Sequence, residues 1–351
     1  MTVNRRNLLK GAASAAVAAS AGFPLSSAAA AVRDGRPAYR RLAEAGLLDE
    51  RIETIAAQYD ECRLCPHECG VDRNGRDTGL CGASARVRVF SHTPHFGEEI
   101  PLVGRRGSGT IFFSHCNLRC VFCQNWPIAH AGRGRLISDR ELADMMIDLQ
   151  RRGCHNINLV TPTHVLPNIV RAVGLAMRRG LRLPLVYNTS GYERVEMIRL
   201  LDGIVDIYLP DLKFMDGAQS ERFAMERAGD YPAMAQASIL EMHRQVGNLV
   251  TDDRGIALRG LMIRHLVMPN RVAGTREFVA WVAENLPRDT YLNIMPQWRV
   301  EHRAFEYEDI ARGLYVSEFL EAMDWAREAG LTHFDERALA AEEVYRRRLA
   351  S

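Results

Sequence analysis

The hydrophobic rhythm of the chain changes near residue 109. Beyond that point short apolar runs alternate with stretches in which apolar residues recur every three or four positions. These are the periods of buried strand and amphipathic helix. Strands are predicted over 110–114, 156–160, 184–188, 205–209, 261–267 and 291–295. Among the helices, one is predicted to start at Ser138, with Glu141 three residues on completing a capping box. Its apolar residues Leu142, Met145, Met146 and Leu149 share a face. Another is predicted over 316–329, with Gly330 as its C-cap. Upstream the rhythm is different. Residues 40–58 read as one polar helix, and "CRLCPHECGVDRNGRDTGLCG" is a loop-rich knuckle of Gly, Pro, Asn and Asp.

Six strand–helix units predict an α/β fold, a partial (β/α)6 TIM-like barrel with a small N-terminal cysteine-rich module. The organisation expected is a signal segment at 1–31, a helix and linker at 32–58, a four-cysteine module at 59–104, the barrel at 105–335 and a C-terminal helix at 336–351. Barrel chemistry sits on loops beyond the strands' C-terminal ends. In order, those loops hold Ser114-His115-Cys116, Thr161-Pro162-Thr163-His164, Asn188-Thr189-Ser190-Gly191, Pro210-Asp211-Leu212-Lys213, Met268-Pro269-Asn270 and Pro296-Gln297-Trp298.

A net charge of +2 over 351 residues predicts no broad basic face, so nucleic acid is not the expected partner. Basic residues are nearly all Arg. The chain holds only Lys10 and Lys213, so Lys213 stands where a compact ammonium is kept in place of a planar fork. Arg5-Arg6 precede an Ala-rich run that ends in small residues near Ala31. This is the pattern of a twin-arginine export signal and predicts the periplasm or cell surface, with the cytoplasm as the alternative. Gly11, Gly22 and Pro24 make the run a poor membrane helix, and no stable membrane span is expected elsewhere.

The eight cysteines are clustered, which reads as metal ligation rather than a disulfide framework. Cys116, Cys120 and Cys123 form a three-thiol set in "SHCNLRCVFCQN". A structural zinc site or an ordinary iron–sulfur site is closed by four ligands, so three leave one position open unless His115 or a remote residue fills it. The second set, Cys62, Cys65, Cys69 and Cys81, has the four thiols to close either a zinc site or a second 4Fe–4S cluster; the cluster is favoured. His67 is expected to be a solvated loop residue and Cys154 a buried core thiol. Residues 92–95 are expected to be a polar connector, and Glu98 and Glu99 are candidate substrate contacts.

Cys116-x3-Cys120-x2-Cys123 after the first barrel strand resembles the signature of radical S-adenosylmethionine (SAM) enzymes. The stretches "GSGTIFFSHCNLRCVFCQN", "HNINLVTPTH", "YNTSGY", "GIVDIYLPDLK" and "RHLVMPN" are similar to homologues of pyruvate formate-lyase activating enzyme, in the branch with an N-terminal cysteine module. The likeness spans about residue 59 to residue 330.

The resemblance implies a 4Fe–4S cluster on Cys116, Cys120 and Cys123 whose open iron is chelated by SAM. It places Phe122 near the adenine, Thr161–His164 (with Thr163) at the SAM amino group, and Asn188 and Thr189 near a monovalent cation. It sets Asp211 and Lys213 beside the methionine carboxylate and aims Arg264 and His265 at substrate or SAM. The family's Gly-Gly-Glu is absent, with Pro162, Thr163 and His164 in its place; His115 replaces a small residue and Asn188 an Asp.

The reaction so implied is reductive cleavage of SAM to a 5′-deoxyadenosyl radical, which takes a hydrogen atom from an unidentified substrate, a protein being one option. Its partners would be SAM and a one-electron donor protein. The alternative is an exported two-cluster electron-transfer protein without SAM turnover.

Overall fold

The computed structural model describes residues 35–350. The export signal and Lys10 lie outside the described residues. Nine strands are described: β1 (Arg88–His95), β2 (Ser108–Phe113), β3 (Arg135–Leu136), β4 (Ile157–Val160), β5 (Leu185–Thr189), β6 (Ile207–Pro210), β7 (Val250–Thr251), β8 (Ala257–Leu266) and β9 (Tyr291–Met295). The helices are α1 (Ala38–Glu44), α2 (Leu48–Ala56), α3 (Ile100–Val103), α4 (Trp126–Ala129), α5 (Asp139–Arg151), α6 (Leu166–Arg178), α7 (Val195–Leu200), α8 (Gly217–Phe223), α9 (Tyr231–Val246), α10 (Thr275–Asn285), α11 (Val316–Glu328) and α12 (Glu336–Ala350).

The six strands expected from the sequence are β2, β4, β5, β6, β8 and β9. They pair in that order and in parallel. β1 adds antiparallel to β2, and β3 to β1, so the sheet ends there instead of closing on β9. The fold is an α/β partial barrel. β1 corrects the expectation of a connector at 92–95: those residues pair with 108–111 of β2. Pro94 and the His, Ser and Thr around it hid the strand; proline is tolerated near a sheet's margin.

The capping box at Ser138 is formed, and Leu142, Met145, Met146 and Leu149 are buried on one face of α5. α11 ends as expected before Gly330, at φ +77°, where the Leu331 N–H donates to the Ala326 carbonyl at 3.1 Å. The single polar helix expected at 40–58 is two helices. Gly46, at φ +73°, turns the chain, and the Leu47 N–H closes on the Leu42 carbonyl at 3.1 Å. α2 is amphipathic, with Leu48, Ile52 and Ile55 buried. The main core lies between sheet and helices, and Cys154 is buried in it. A second, smaller cluster of Leu102, Val186, Ile207, Leu209, Ala257, Met262 and Tyr291 is separate from it.

Candidate functional site

The chain leaves β2 through Ser114 and turns at His115, held at φ +75°. A side chain is costly in that left-handed region, and such strain gathers at functional loops. Gly82 and Gly132 make room for the imidazole: a Cβ on either would come within 3.0 and 2.6 Å of it. The loop then carries Cys116, Cys120 and Cys123 as free thiols, Cys120 buried. Its backbone is tied on several sides. Val121 N–H donates to the Phe223 carbonyl at 2.9 Å, Arg303 N–H to the Val121 carbonyl at 2.8 Å, and His130 Nε2 lies 3.1 Å from the Cys120 carbonyl.

Burial pushes all three thiols up, Cys123 to about 12, and neighbouring thiols add to the shift at Cys120 and Cys123. Lys213 opposes it at each. Thiols so placed stay protonated until a metal takes the protons' place.

Lys213 Nζ donates to Asp211 Oδ2 at 2.6 Å; Arg264 Nε donates to Asp211 Oδ1 at 2.9 Å and its NH2 to Asn188 Oδ1 at 2.6 Å. Burial raises the Asp211 carboxyl, but these two cations outweigh it and hold its pKa below the usual range. The structure thus brings Asn188, Asp211, Lys213 and the three thiols to one end of the barrel. At Asn188, where the resemblance sets a monovalent cation, the positive charge on the amide oxygen is the Arg264 guanidinium.

Other expected residues are engaged elsewhere. The hydroxyls of Thr163 and Thr189 both donate to Glu193 Oε1, Thr163 at 2.5 Å. Thr161 sits at φ +61°, unusual for a β-branched residue. Phe122 packs between Trp298, 5.1 Å away, and Phe214, 6.0 Å away. His265 points away from the site. It stacks on Phe278 of α10 at 4.2 Å and bonds Leu212 and Thr275, as the two-residue period of a strand requires of Arg264's neighbour. His164 Nε2 bonds the Ser114 carbonyl at 2.7 Å and is buried.

A family model described as the radical SAM superfamily matches residues 110–235. The uncharacterized protein MJ0674 of Methanocaldococcus jannaschii is 32% identical over 298 residues, 81% of this chain and 80% of its own. The chain belongs to the radical SAM superfamily. Among solved structures, methylornithine synthase is similar over 82% of this chain and 77% of its own, at 11% identity and a TM-score of 0.39. HydG, a hydrogenase maturase, is similar over 62% of this chain and 48% of its own, at 12% identity and a TM-score of 0.42.

In a radical SAM protein a three-cysteine loop is the place of the 4Fe–4S cluster and SAM. Here the three free thiols beside Lys213 have the donor chemistry for that group, although among the described residues no three Cys, His, Asp or Glu side chains are already gathered as a metal site. Against the loop lies the four-cysteine knuckle. Gly79 runs between two of its thiols: a Cβ there would lie 3.3 Å from Cys81 Sγ and 3.4 Å from Cys69 Sγ. Arg73, 1% exposed, lies over the Tyr59 ring at 4.3 Å. Its NH1 approaches Cys62 Sγ at 3.9 Å and donates to the His164 carbonyl at 2.6 Å. His67 is not a solvated loop residue. Its Nε2 is 2.8 Å from the Asn117 carbonyl, inside the three-cysteine loop, and its ring meets Tyr192 edge-on at 5.1 Å.

Sequence reasoning missed Arg73 and Glu193. Glu193 is fully buried under three hydroxyl donors, those of Thr163, Thr189 and Tyr187. Arg73 had a signal, being an Arg among four cysteines; Glu193 had none.

Proposed function

We propose that the chain is an activating-enzyme-like radical SAM enzyme, an oxidoreductase acting on a substrate still to be identified. The observation that carries this is the convergence of Lys213, Asp211 and the Cys116–Cys120–Cys123 loop at the C-terminal end of parallel strands. When bound, the cluster on these thiols supplies the electron that cleaves SAM to the hydrogen-abstracting 5′-deoxyadenosyl radical. Lys213 offers its ammonium to the SAM carboxylate, with Asp211 and Arg264 fixing its position. Phe122, Phe214 and Trp298 give an apolar wall for the adenine and keep water out. Thr161 presents backbone groups from the loop after β4, where a Gly-Gly-Glu is missing.

The knuckle is read as a second iron–sulfur site. Zinc carries no electrons, whereas an iron–sulfur cluster passes them on. The His67–Asn117 contact sets the knuckle against the loop that needs an electron, which supports the cluster over zinc. Export by the twin-arginine route agrees with a protein folded and loaded before transport. No helix among the described residues is long and apolar enough to cross a membrane. A one-electron donor protein completes the partners.

A second reading, an exported two-cluster electron-transfer protein, is favoured by the same direct contact between the modules. The discriminating experiment is 5′-deoxyadenosine formation by anaerobically reconstituted protein with SAM and a strong reductant. Wild type is expected to form it and Cys120→Ala to form none; a loaded wild type that binds no SAM would favour electron transfer.

A further inference from the structure

On four neighbouring strands the inward side chains turn from apolar to polar in one step of two residues. Val186 gives way to Asn188, Leu209 to Asp211, Met262 to Arg264 and Tyr291 to Asn293. The apolar members form the separate small cluster with Leu102 of α3. Asn156 Nδ2 donates to the Leu102 carbonyl at 2.9 Å, which sets that plug at the strands' starting end. Above it, towards the thiol loop, the interior is polar. Residues 97–99 enter this layer at the edge of β9, where Asn293 Nδ2 donates to Glu99 Oε1 at 2.9 Å and Asn188 Nδ2 to Glu98 Oε2 at 3.4 Å.

Here Glu98, Glu99, Arg264, Asn293, Gln297 and Arg337 line a cavity of about 180 Å³. Its charges are unequally satisfied. The Arg264 guanidinium is shared by Asp211, Asn188 and Glu98, the last at 3.7 Å. Arg337 donates to the carbonyls of Gly97 and Phe96 at 2.6 and 2.8 Å. Glu99, 3% exposed, has no ion-pair partner within 4 Å among the described residues, and its Oε2 has no hydrogen-bond partner. An orphaned buried carboxylate oxygen is costly and marks a place for a donor. Burial pushes both glutamates up and Arg264 offsets this only in part, so a further cation beside Glu99 would relieve what remains.

We propose that this cavity binds the substrate, and that the substrate is a small organic cation, an amine or guanidine, held by its charged nitrogen on Glu99. The assignment rests on the radical SAM reading. The cavity lies one residue behind the SAM end: Asp211 joins Arg264 to Lys213, and Gln124, next to Cys123, donates to the Gln297 carbonyl at 3.2 Å. A hydrogen atom offered there is close to the place where the radical forms. The volume is below the roughly 300–1,000 Å³ of ordinary ligand sites, so the molecule has few heavy atoms and a protein loop is a poor fit. A bare metal cation is disfavoured because Glu98 Oε2 and Glu99 Oε1 already accept from Asn188 and Asn293, so the oxygens left free are fewer than the roughly six a hard cation takes.

The test uses full-length, anaerobically reconstituted protein with SAM and no reductant. Ethylammonium and methylguanidinium are the probes, acetamide the neutral control, and potassium and magnesium the metal controls. Binding is followed by saturation-transfer NMR and calorimetry. At least one organic cation is expected to bind, acetamide not to bind, and the metal ions not to displace the cation. Glu99→Gln keeps an oxygen for Asn293 and is expected to weaken the cation about tenfold or more. Equal binding of acetamide, displacement by a metal ion, unchanged binding in Glu99→Gln, or no bound probe overturns the proposal. Should Glu99→Gln fail to fold, Ala338→Leu fills the cavity from α12 and is expected to abolish binding; retained binding counts against the site. Deoxyadenosine formation, run on the same preparation with reductant, reads the chemistry separately. Cation binding without SAM cleavage leaves a cation site but overturns its assignment as the substrate pocket together with the radical reading; cleavage without cation binding sinks the pocket alone.

Discussion

Glu193 shows how much of a site turns on one side chain that has no motif. Burial lifts its carboxyl to about 7, although three hydroxyls bond to it. An unfolded glutamate titrates near about 4.3. Below that value both states hold the proton and the contribution of Glu193 to stability is fullest. Between about pH 4 and 7 the unfolded chain releases a proton the fold keeps, so stability falls with rising pH by on the order of 1 kcal/mol per unit, and the loss ends above about 7. Glu193→Gln keeps the hydroxyl bonds and removes the titration. Its urea stability at about pH 5 and about pH 7.5 is expected to differ less than that of wild type. A residual slope of the same sign is expected from Asp206, also lifted to about 7 by burial. An undiminished slope in Glu193→Gln would mean that Glu193 is ionised throughout. Nothing in "YNTSGYE" separates this glutamate from any other. The cysteines and Lys213, in contrast, stood out by spacing and by rarity.

Elements were legible where period and punctuation agreed. The parallel strands had apolar runs, and α5 had its cap. Ser138 Oγ accepts from the Glu141 N–H at 3.2 Å, and Glu141 Oε2 accepts from the Ser138 N–H at 2.8 Å. Ser138→Ala removes half of that exchange and is expected to cost about 1 kcal/mol in denaturant titration, while Ser138→Asp restores most of it. A cost near zero would mean that packing of α5 on the sheet carries its start unaided. β1 was illegible because its partners, not its own residues, make it a strand. Polar side chains crowd it with no apolar stripe, and only the ladder to β2 reveals the pairing. The same limit hid the break at Gly46, since a single glycine inside a helical pattern does not announce its φ.

At the scale of the whole molecule, the two cysteine groups meet because the knuckle folds back on the barrel rim. Gly82, next to Cys81, packs against the ring of His115, next to Cys116. The sequence showed two cysteine sets but not this contact, because it runs through the His67 and Arg73 side chains and backbone carbonyls. The open edge of the barrel was equally hidden. β1 is added on the outer side of β2, and the gap to β9 is spanned by Glu99 on Asn293 and by Arg337 on the carbonyls of Phe96 and Gly97. Arg337→Ala removes two of these bonds and is expected to lower stability by about 1 to 2 kcal/mol. It is also expected to speed amide hydrogen exchange in residues 96–104 more than in β4, β5 or β6. Uniformly faster exchange would show that the seam has no independence from the rest of the fold.

A junction made of side chains parts more readily than one made of a backbone ladder, since a few bonds break at once and no strand has to leave its partner. The wall beside β9 is therefore where the barrel opens at the lowest cost. An opening there leaves the ladder from β2 to β9 intact.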